Sequence, residues 1–164
     1  MLSDSHGRVD KIERSLRLFG APTAILFLGD GLCDLARAEL SGARVYAVRG
    51  NCDAVSTLFG ESVPLQSMRR FGEYNIMSMH SHLFSPLGAQ EYAARQGADI
   101  LAFGHTHKRY EKYYPAGSVI GGYEIEKPLW VINPGSVGQP RDGACSFGRI
   151  SIGEAGVSLS FGEI

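Results

Sequence analysis

With 164 residues the chain is long enough for one compact domain with a real core and too short for two ordinary ones. Its formal net charge of -1, with no basic block, excludes a wide nonspecific grip on nucleic acid, though not a nucleotide-sized substrate. The three cysteines, Cys33, Cys52 and Cys145, are odd in number and lack zinc-finger spacing, which argues against a disulfide framework or a structural zinc and for a reducing cytoplasm.

Taken in chain order, the polar cluster Ser3-Asp4-Ser5-His6-Gly7 comes almost at once. Only three residues precede Asp4, so the first strand is expected to be short, or to begin upstream of this sequence. Val9, Ile12, Leu16 and Phe19 then recur at helical spacing, with charges between them and Gly20 as a stop, giving an amphipathic helix over residues 8–19. A strand over 24–28, a helix over 34–40 and a strand over 45–48 follow, in β-α-β order. A short helix is expected after Asp53, whose carboxylate would cap it. Residues 63–68 and 74–79 flank the turn-like Arg70-Phe71-Gly72-Glu73 and read as a hairpin, and residues 87–96 read as a helix.

A fully apolar run over 100–103 is the next strand. The last third has many glycines and short β-type runs at 123–125, 129–132, 147–152 and 157–161, which predict a second, antiparallel sheet. Two sheets packed face to face with helices outside make a single α/β domain over 1–164, a four-layer α-β-β-α sandwich with mixed sheets. No apolar stretch approaches the roughly 18 residues of a membrane span, and no signal-peptide pattern is visible, so a soluble cytoplasmic protein is expected.

The polar residues that follow the strands carry the functional signal. Asp30 follows the run ending at Leu28, Asn51 follows Val48, His80 follows Met79, and His105 follows Phe103, each directly or after a short step. In an open α/β sheet, ligands bind outside the carboxyl ends of the strands, so these side chains converge on one edge. With Asp4, His6 and His107 they read as a two-metal site. His105 and His107 are two apart, and in an extended segment such residues share a face and reach adjacent ions. Imidazole, carboxylate and amide ligands without thiolate favour Mn, Fe, Ni, Co or Zn, with manganese first.

The fragments D-x-H (Asp4, His6), GD (Asp30), RGNCD (Asn51), a strand-terminal His80 and GHTH (His105, His107), in that order, resemble the calcineurin-like metallophosphoesterase superfamily. RGNCD, FGHTH and INPGSVGQPR look most like its small YfcE-type phosphodiesterases. The resemblance implies that Asp4, His6, Asp30 and His107 hold one divalent ion. Asp30, Asn51, His80 and His105 would hold the other, with Asp30 bridging. It also implies hydrolysis of small phosphodiesters or nucleotide-like substrates by a metal-bridging hydroxide. Two divalent ions, two carboxylates and that hydroxide leave about one net positive charge by formal counting, which welcomes an anionic phosphate.

Cys52 departs from the pattern of related nucleases and protein phosphatases, where a histidine at this place is thought to help the leaving group. A neutral thiol donates only a weak hydrogen bond and cannot supply an imidazolium charge. Asp30, Asn51, His80 and Cys52 are therefore the catalytic candidates, and Asn51, His82, Ser136 and Arg141 the substrate contacts. His82 reads equally well as a loop histidine. Asn133-Pro134-Gly135-Ser136 reads equally well as a simple turn, and Arg141 as a solvated charge. Lys108 and Arg109 read as surface charges, Cys33 and Cys145 as packing residues. The competing functions are a phosphomonoesterase on the same site and a non-catalytic interaction scaffold of the same fold. A homo-oligomer is left open.

Overall fold

The structure, a computed structural model, describes residues 1–20 and 22–164. The first expected helix forms as α1 (Val9–Phe19), with Ile12 and Leu16 buried on one face, and Gly20 ends it at φ 76°. That left-handed value costs glycine little. Burying each such side chain contributes about 1.5 to 3 kcal/mol. β1 (Ala24–Phe27), α2 (Leu32–Arg37) and β2 (Arg44–Ala47) follow, and β1 pairs with β2 in parallel.

No helix follows Asp53, which corrects the expectation from sequence. The chain forms a small hairpin instead, β3 (Thr57–Leu58) and β4 (Glu61–Ser62). The reason lies in where the carboxylate goes. Asp53 accepts from the backbone N–H groups of Asp30, Gly31, Leu32 and Gly50 at 2.8–2.9 Å, so it turns back toward the strand ends and caps nothing beyond itself.

β5 (Gln66–Phe71) and β6 (Tyr74–Met79) form the expected hairpin, closed by Gly72-Glu73. α3 (Pro86–Arg95) starts where Ser85 accepts from Gly88 N and Pro86 pre-sets the backbone. β7 (Ile100–Phe103), β8 (Arg109–Tyr114), β9 (Val119–Ile120), β10 (Tyr123–Glu124) and β11 (Leu129–Pro134) come next. The long hairpin β12 (Ser146–Gly153) and β13 (Gly156–Glu163) ends the chain.

The last third is antiparallel in part: β12 pairs with β13 and β10 with β9, while the run at 129–132 goes elsewhere. β11 inserts beside β7 in parallel and beside β8 antiparallel, in a five-stranded mixed sheet of order β5-β6-β7-β11-β8. β8 lies at the edge of that sheet, and its sequence Arg-Tyr-Glu-Lys-Tyr-Tyr is mostly exposed, so it offers no apolar signal. The hairpin β12–β13 joins the other sheet through Met1, which donates to Gly148 O at 2.6 Å and accepts from Gly148 N at 3.0 Å. Leu2, ahead of Asp4, forms a parallel bridge to Phe27 of β1.

Alternation along the strands divides the core. Ile25 and Phe27 pack with Ile12, Leu16 and Leu35 of the first two helices, while Leu26 and Leu28 pack with Ile76, Ile100 and Ile132 of the other sheet. Leu101, Phe103 and Val131 face the opposite way, onto Ala89 and Ala93 of α3. Successive side chains point to opposite faces, so each of these strands is buried on both. Among the described residues no helix is long and apolar enough to cross a membrane.

Candidate metal centre

The strand ends deliver their polar residues to one place. Asp30 lies just beyond β1, Asn51 beyond β2, His80 directly after β6, and His105 and His107 after β7. Gly29 and Gly50 allow this closeness, because a Cβ on Gly29 would lie 2.7 Å from Gly50 N and one on Gly50 would overlap the Asp30 carboxylate.

Two carboxylates form the middle of the cluster. Asp4 Oδ1 is 3.2 Å from His107 Nε2, 3.8 Å from His6 Nε2 and 3.9 Å from His80 Nε2. Asp30 Oδ2 is 3.2 Å from His80 Nε2 and 3.8 Å from His6 Nε2, while its Oδ1 accepts from Cys52 N at 2.7 Å. Asn51 Oδ1 lies 3.2 Å from His80 Nε2. The His105 ring centroid is 5.1 Å from that of His80 and 6.3 Å from that of His82. All five histidines of the chain thus meet here, His6 joining through its ring contact with His107 at 5.0 Å.

The chemistry of the donors fits divalent ions. Asp4 Oδ1 is buried without a hydrogen bond of proper geometry, although three imidazole nitrogens surround it. A buried carboxylate oxygen left without a partner costs about 1 to 3 kcal/mol or more. The second nitrogens are already committed: His80 Nδ1 lies 2.7 Å from Leu28 O and His107 Nδ1 lies 2.5 Å from Gln139 O. Carrying the proton on Nδ1 to make these bonds leaves each Nε2 lone pair facing the cluster, which is the arrangement of a metal-ligating imidazole. Three groups, Asp4-His6-His107, Asp4-Asp30-His80 and His6-Asp30-Cys52, bring ligand atoms within 4.8 Å of one another.

Charge is redistributed accordingly. Burial alone would raise the Asp4 pKa, but its contacts with His107, His6 and His80 hold it well below the usual carboxylate range. Burial likewise opposes ionisation of Asp30, and His80 outweighs it, so the pKa is lowered. For His80, burial works against the charged ring and the carboxylates of Asp30 and Asp4 overcome it; His107 is raised chiefly by Asp4. Burial pushes the Cys52 thiol up, with Asp30 adding to it.

Backbone strain gathers at the same positions. Asp4, His6, Asp30, His105 and His107 all have φ between 44° and 69°. Non-glycine residues rarely adopt such values, and they persist only where surrounding contacts enforce them. This corrects the expected extended geometry of His105-Thr106-His107, which is a left-handed turn in which Thr106 N donates to Gly104 O. Asn133 holds that turn, donating to Gly104 O at 2.8 Å and to Thr106 Oγ1 at 3.1 Å.

Ser136, expected as a substrate contact, is fully buried. Its hydroxyl donates to Asp4 O and accepts from Gly138 N and Gln139 N, so it braces the Asp4 loop. Arg141 is exposed beside the cluster, its N–H donating to His107 O at 2.9 Å. His82 adjoins His80 with ring centroids 5.5 Å apart, and its Nδ1 is buried without a partner. Asn51 Nδ2 lies 3.2 Å from Cys52 Sγ, and both residues are exposed at the mouth of the cluster. Cys33 is exposed and Cys145 partly so, which corrects their expected packing role.

This fold and site define the class of protein. Residues 1–154 match the calcineurin-like phosphoesterase superfamily domain, and the chain belongs to that superfamily. It is 29% identical over 170 residues to the phosphodiesterase YfcE of Escherichia coli K12, covering 90% of this chain and 84% of that protein. Among solved structures, a predicted phosphoesterase of Streptococcus pneumoniae aligns with a TM-score of 0.70 at 23% identity, covering 99% of this chain and 86% of that one. Vps29 of Chaetomium thermophilum aligns with a TM-score of 0.68 at 17% identity, covering 99% and 94% respectively. These two likenesses show the metallophosphoesterase-like α/β fold. The YfcE match shows distant kinship.

Proposed function

We propose that the chain is a divalent-metal-dependent phosphodiesterase acting on small phosphodiesters or nucleotide-like substrates. The observation that carries this reading is the unpartnered Asp4 Oδ1 inside a cage of imidazoles, next to an Asp30 oxygen placed between His6 and His80. Asp4, His6, Asp30 and His107 would hold one ion and Asp30, Asn51, His80 and His105 the other. When bound, such a pair polarises a phosphoryl oxygen and lowers the pKa of water. Manganese, iron, nickel, cobalt and zinc all suit these ligands.

The chain's own groups do the rest. Asn51 Nδ2, at the open mouth, can donate to a phosphoryl oxygen. Arg141, exposed beside the cluster, can offer its guanidinium fork to another. His82 lies next to His80. With a thiol at Cys52 in place of an imidazole, the departing oxygen lacks a strong proton donor, which favours good leaving groups. A diester reading over a monoester one is supported by the 29% identity to a protein named a phosphodiesterase. Retention of all seven candidate ligands speaks against a pure scaffold. Alternating burial of the strands supports the four-layer α-β-β-α reading of a single domain over 1–164. Three free cysteines fit the cytoplasm.

Purified protein assayed on bis-p-nitrophenyl phosphate and p-nitrophenyl phosphate, with metal content measured in parallel, tests the reading. Hydrolysis of the diester is expected to exceed that of the monoester, to vanish on chelation and to return with Mn. Activity that survives rigorous metal removal overturns the mechanism, and preference for the monoester replaces diesterase with monoesterase.

A further inference from the structure

His80 and His107 are aimed by bonds from Nδ1 to backbone carbonyls. His6 has no such bond among the described residues; its ring contacts lie on the cluster side, with Nε2 3.3 Å from His107 Nε2. Its aim must come from its backbone, where φ is 44° and the following Gly7 is at 89°. Two consecutive left-handed residues do not hold themselves in place.

The Asp30 carbonyl does part of this, accepting from Ser5 N at 2.9 Å and His6 N at 3.4 Å, and a buried carboxylate does the rest. Asp34, on α2 and 3% exposed, accepts from Ser5 Oγ at 2.6 Å and from Gly7 N at 2.7 Å, both on Oδ2. The residues before and after His6 therefore hang from one oxygen. Asp34 Oδ1 accepts from Arg37 at 2.9 Å, three residues on along the same helix, a second contact that fixes the orientation of the carboxylate. Gly31 completes the fit, because a Cβ there would overlap Ser5 Oγ.

We propose that Asp34 is a positioning residue of the metal centre, which pins Ser5 and Gly7 to hold His6 and so sets the affinity of the Asp4-His6-His107 position. The proposal rests on the two-metal reading. Its effect is one-sided. None of Asp30, Asn51, His80 and His105 bonds to Asp34, and the loops of Asp30 and Asn51 are tied to Asp53 instead.

Mn titration of the full chain by calorimetry, with stoichiometry from elemental analysis and electron paramagnetic resonance, tests this. Wild type is expected to bind two ions. Asp34→Ala should keep one site at wild-type affinity and weaken the other about 10- to 100-fold, the usual cost of losing an outer support of a ligand. An uncoupled six-line Mn signal should then persist at two equivalents. Asp34→Asn retains an acceptor oxygen for Ser5 and Gly7, so it should recover most of the affinity. Ser5→Ala, which removes one of the two bonds and keeps the helix intact, should weaken the same site severalfold. Two sites of unchanged affinity in Ser5→Ala or in folded Asp34→Ala, or equal weakening of both sites, overturns the proposal. A wild-type chain that never binds a second ion overturns the two-metal reading itself, whatever the variants do.

Discussion

At the carboxyl ends of the strands five histidines and two buried aspartates crowd together, whereas the opposite ends surround a cavity of about 570 Å³ lined by Leu16, Phe19, Ile25, Ile150 and Ile152. This hollow carries no chemistry. Its one neighbouring charge, Arg149, is committed to Phe19, donating to its carbonyl at 2.8 Å and stacking over its ring. In the candidate metal centre polar side chains face one another at 3.2 to 3.9 Å. What separates the two ends is unmet electrostatic demand. One has a buried oxygen without a partner and five strained backbones, and the other has relaxed apolar walls.

The sharpest break in that comparison is Asp30→Asn. Asparagine tolerates the left-handed φ of 57°, so the chain should fold, but a charge facing both His6 and His80 is gone. Loss in kcat/KM should exceed about 100-fold, beyond the range for an outer support, and should be greater than that of Asn51→Ala. A folded, fully active Asp30→Asn protein would remove Asp30 from the centre.

Cys52→His should have a smaller effect, selective for substrate. With the thiol, rates across a series of diesters should fall steeply as the leaving-group pKa rises. An added imidazole should flatten that slope, since general acid help is typically worth about 10² to 10⁴. Equal slopes at matched metal occupancy would show that another group, His82 foremost, already serves the leaving oxygen.

Proton competition comes next. In the metal-free chain the Asp30 and Asp4 carboxylates raise His80 against the pull of burial, and Asp4 raises His107, so both rings begin to take up protons above the ordinary imidazole value of about 6.5. Metal affinity should therefore fall as pH drops through that region, by up to about 10-fold per unit for each ring. For the metal-free fold the sign reverses: these two rings contribute stability that is full below about 6.5 and lost as pH rises through their raised values. Calorimetric Mn titrations from pH 5 to 8 check the first, and a pH-independent affinity would contradict it.

Leu16→Ala should have the least effect on activity. It truncates a buried side chain at the apolar end and should cost about 2 to 5 kcal/mol of stability by thermal or urea unfolding. Its kcat/KM per folded molecule should stay within about twofold of wild type. A larger kinetic loss would mean that the two ends communicate.

Much of the polar cluster is legible in the sequence because Asp30, Asn51, His80 and His105 each follow an apolar run, a local pattern that needs no knowledge of the partner strand. The helices α1 and α3 were legible for the same reason. Asp53 was misread as a helix cap, since its true partners lie 21 to 23 residues earlier, at Leu32, Gly31 and Asp30, with no periodic trace of the contact. Asp34 was hidden likewise, its link to Ser5 spanning 29 positions. The edge strand β8 was missed because charged residues fill it, and the joining of β11 to β7 is a choice of topology that strand patterns do not encode.

The four N–H groups gathered by Asp53 come from two different ligand loops, those of Asp30 and Gly50. These loops therefore cannot drift apart in the metal-free protein. Their conformational entropy is lost during folding and is not charged again when an ion arrives. Ion capture should in consequence resemble the filling of a rigid receptor: fast on-rates, little change in far-UV circular dichroism, and a demetallated chain that remains native, unlike small domains that fold only around their metal.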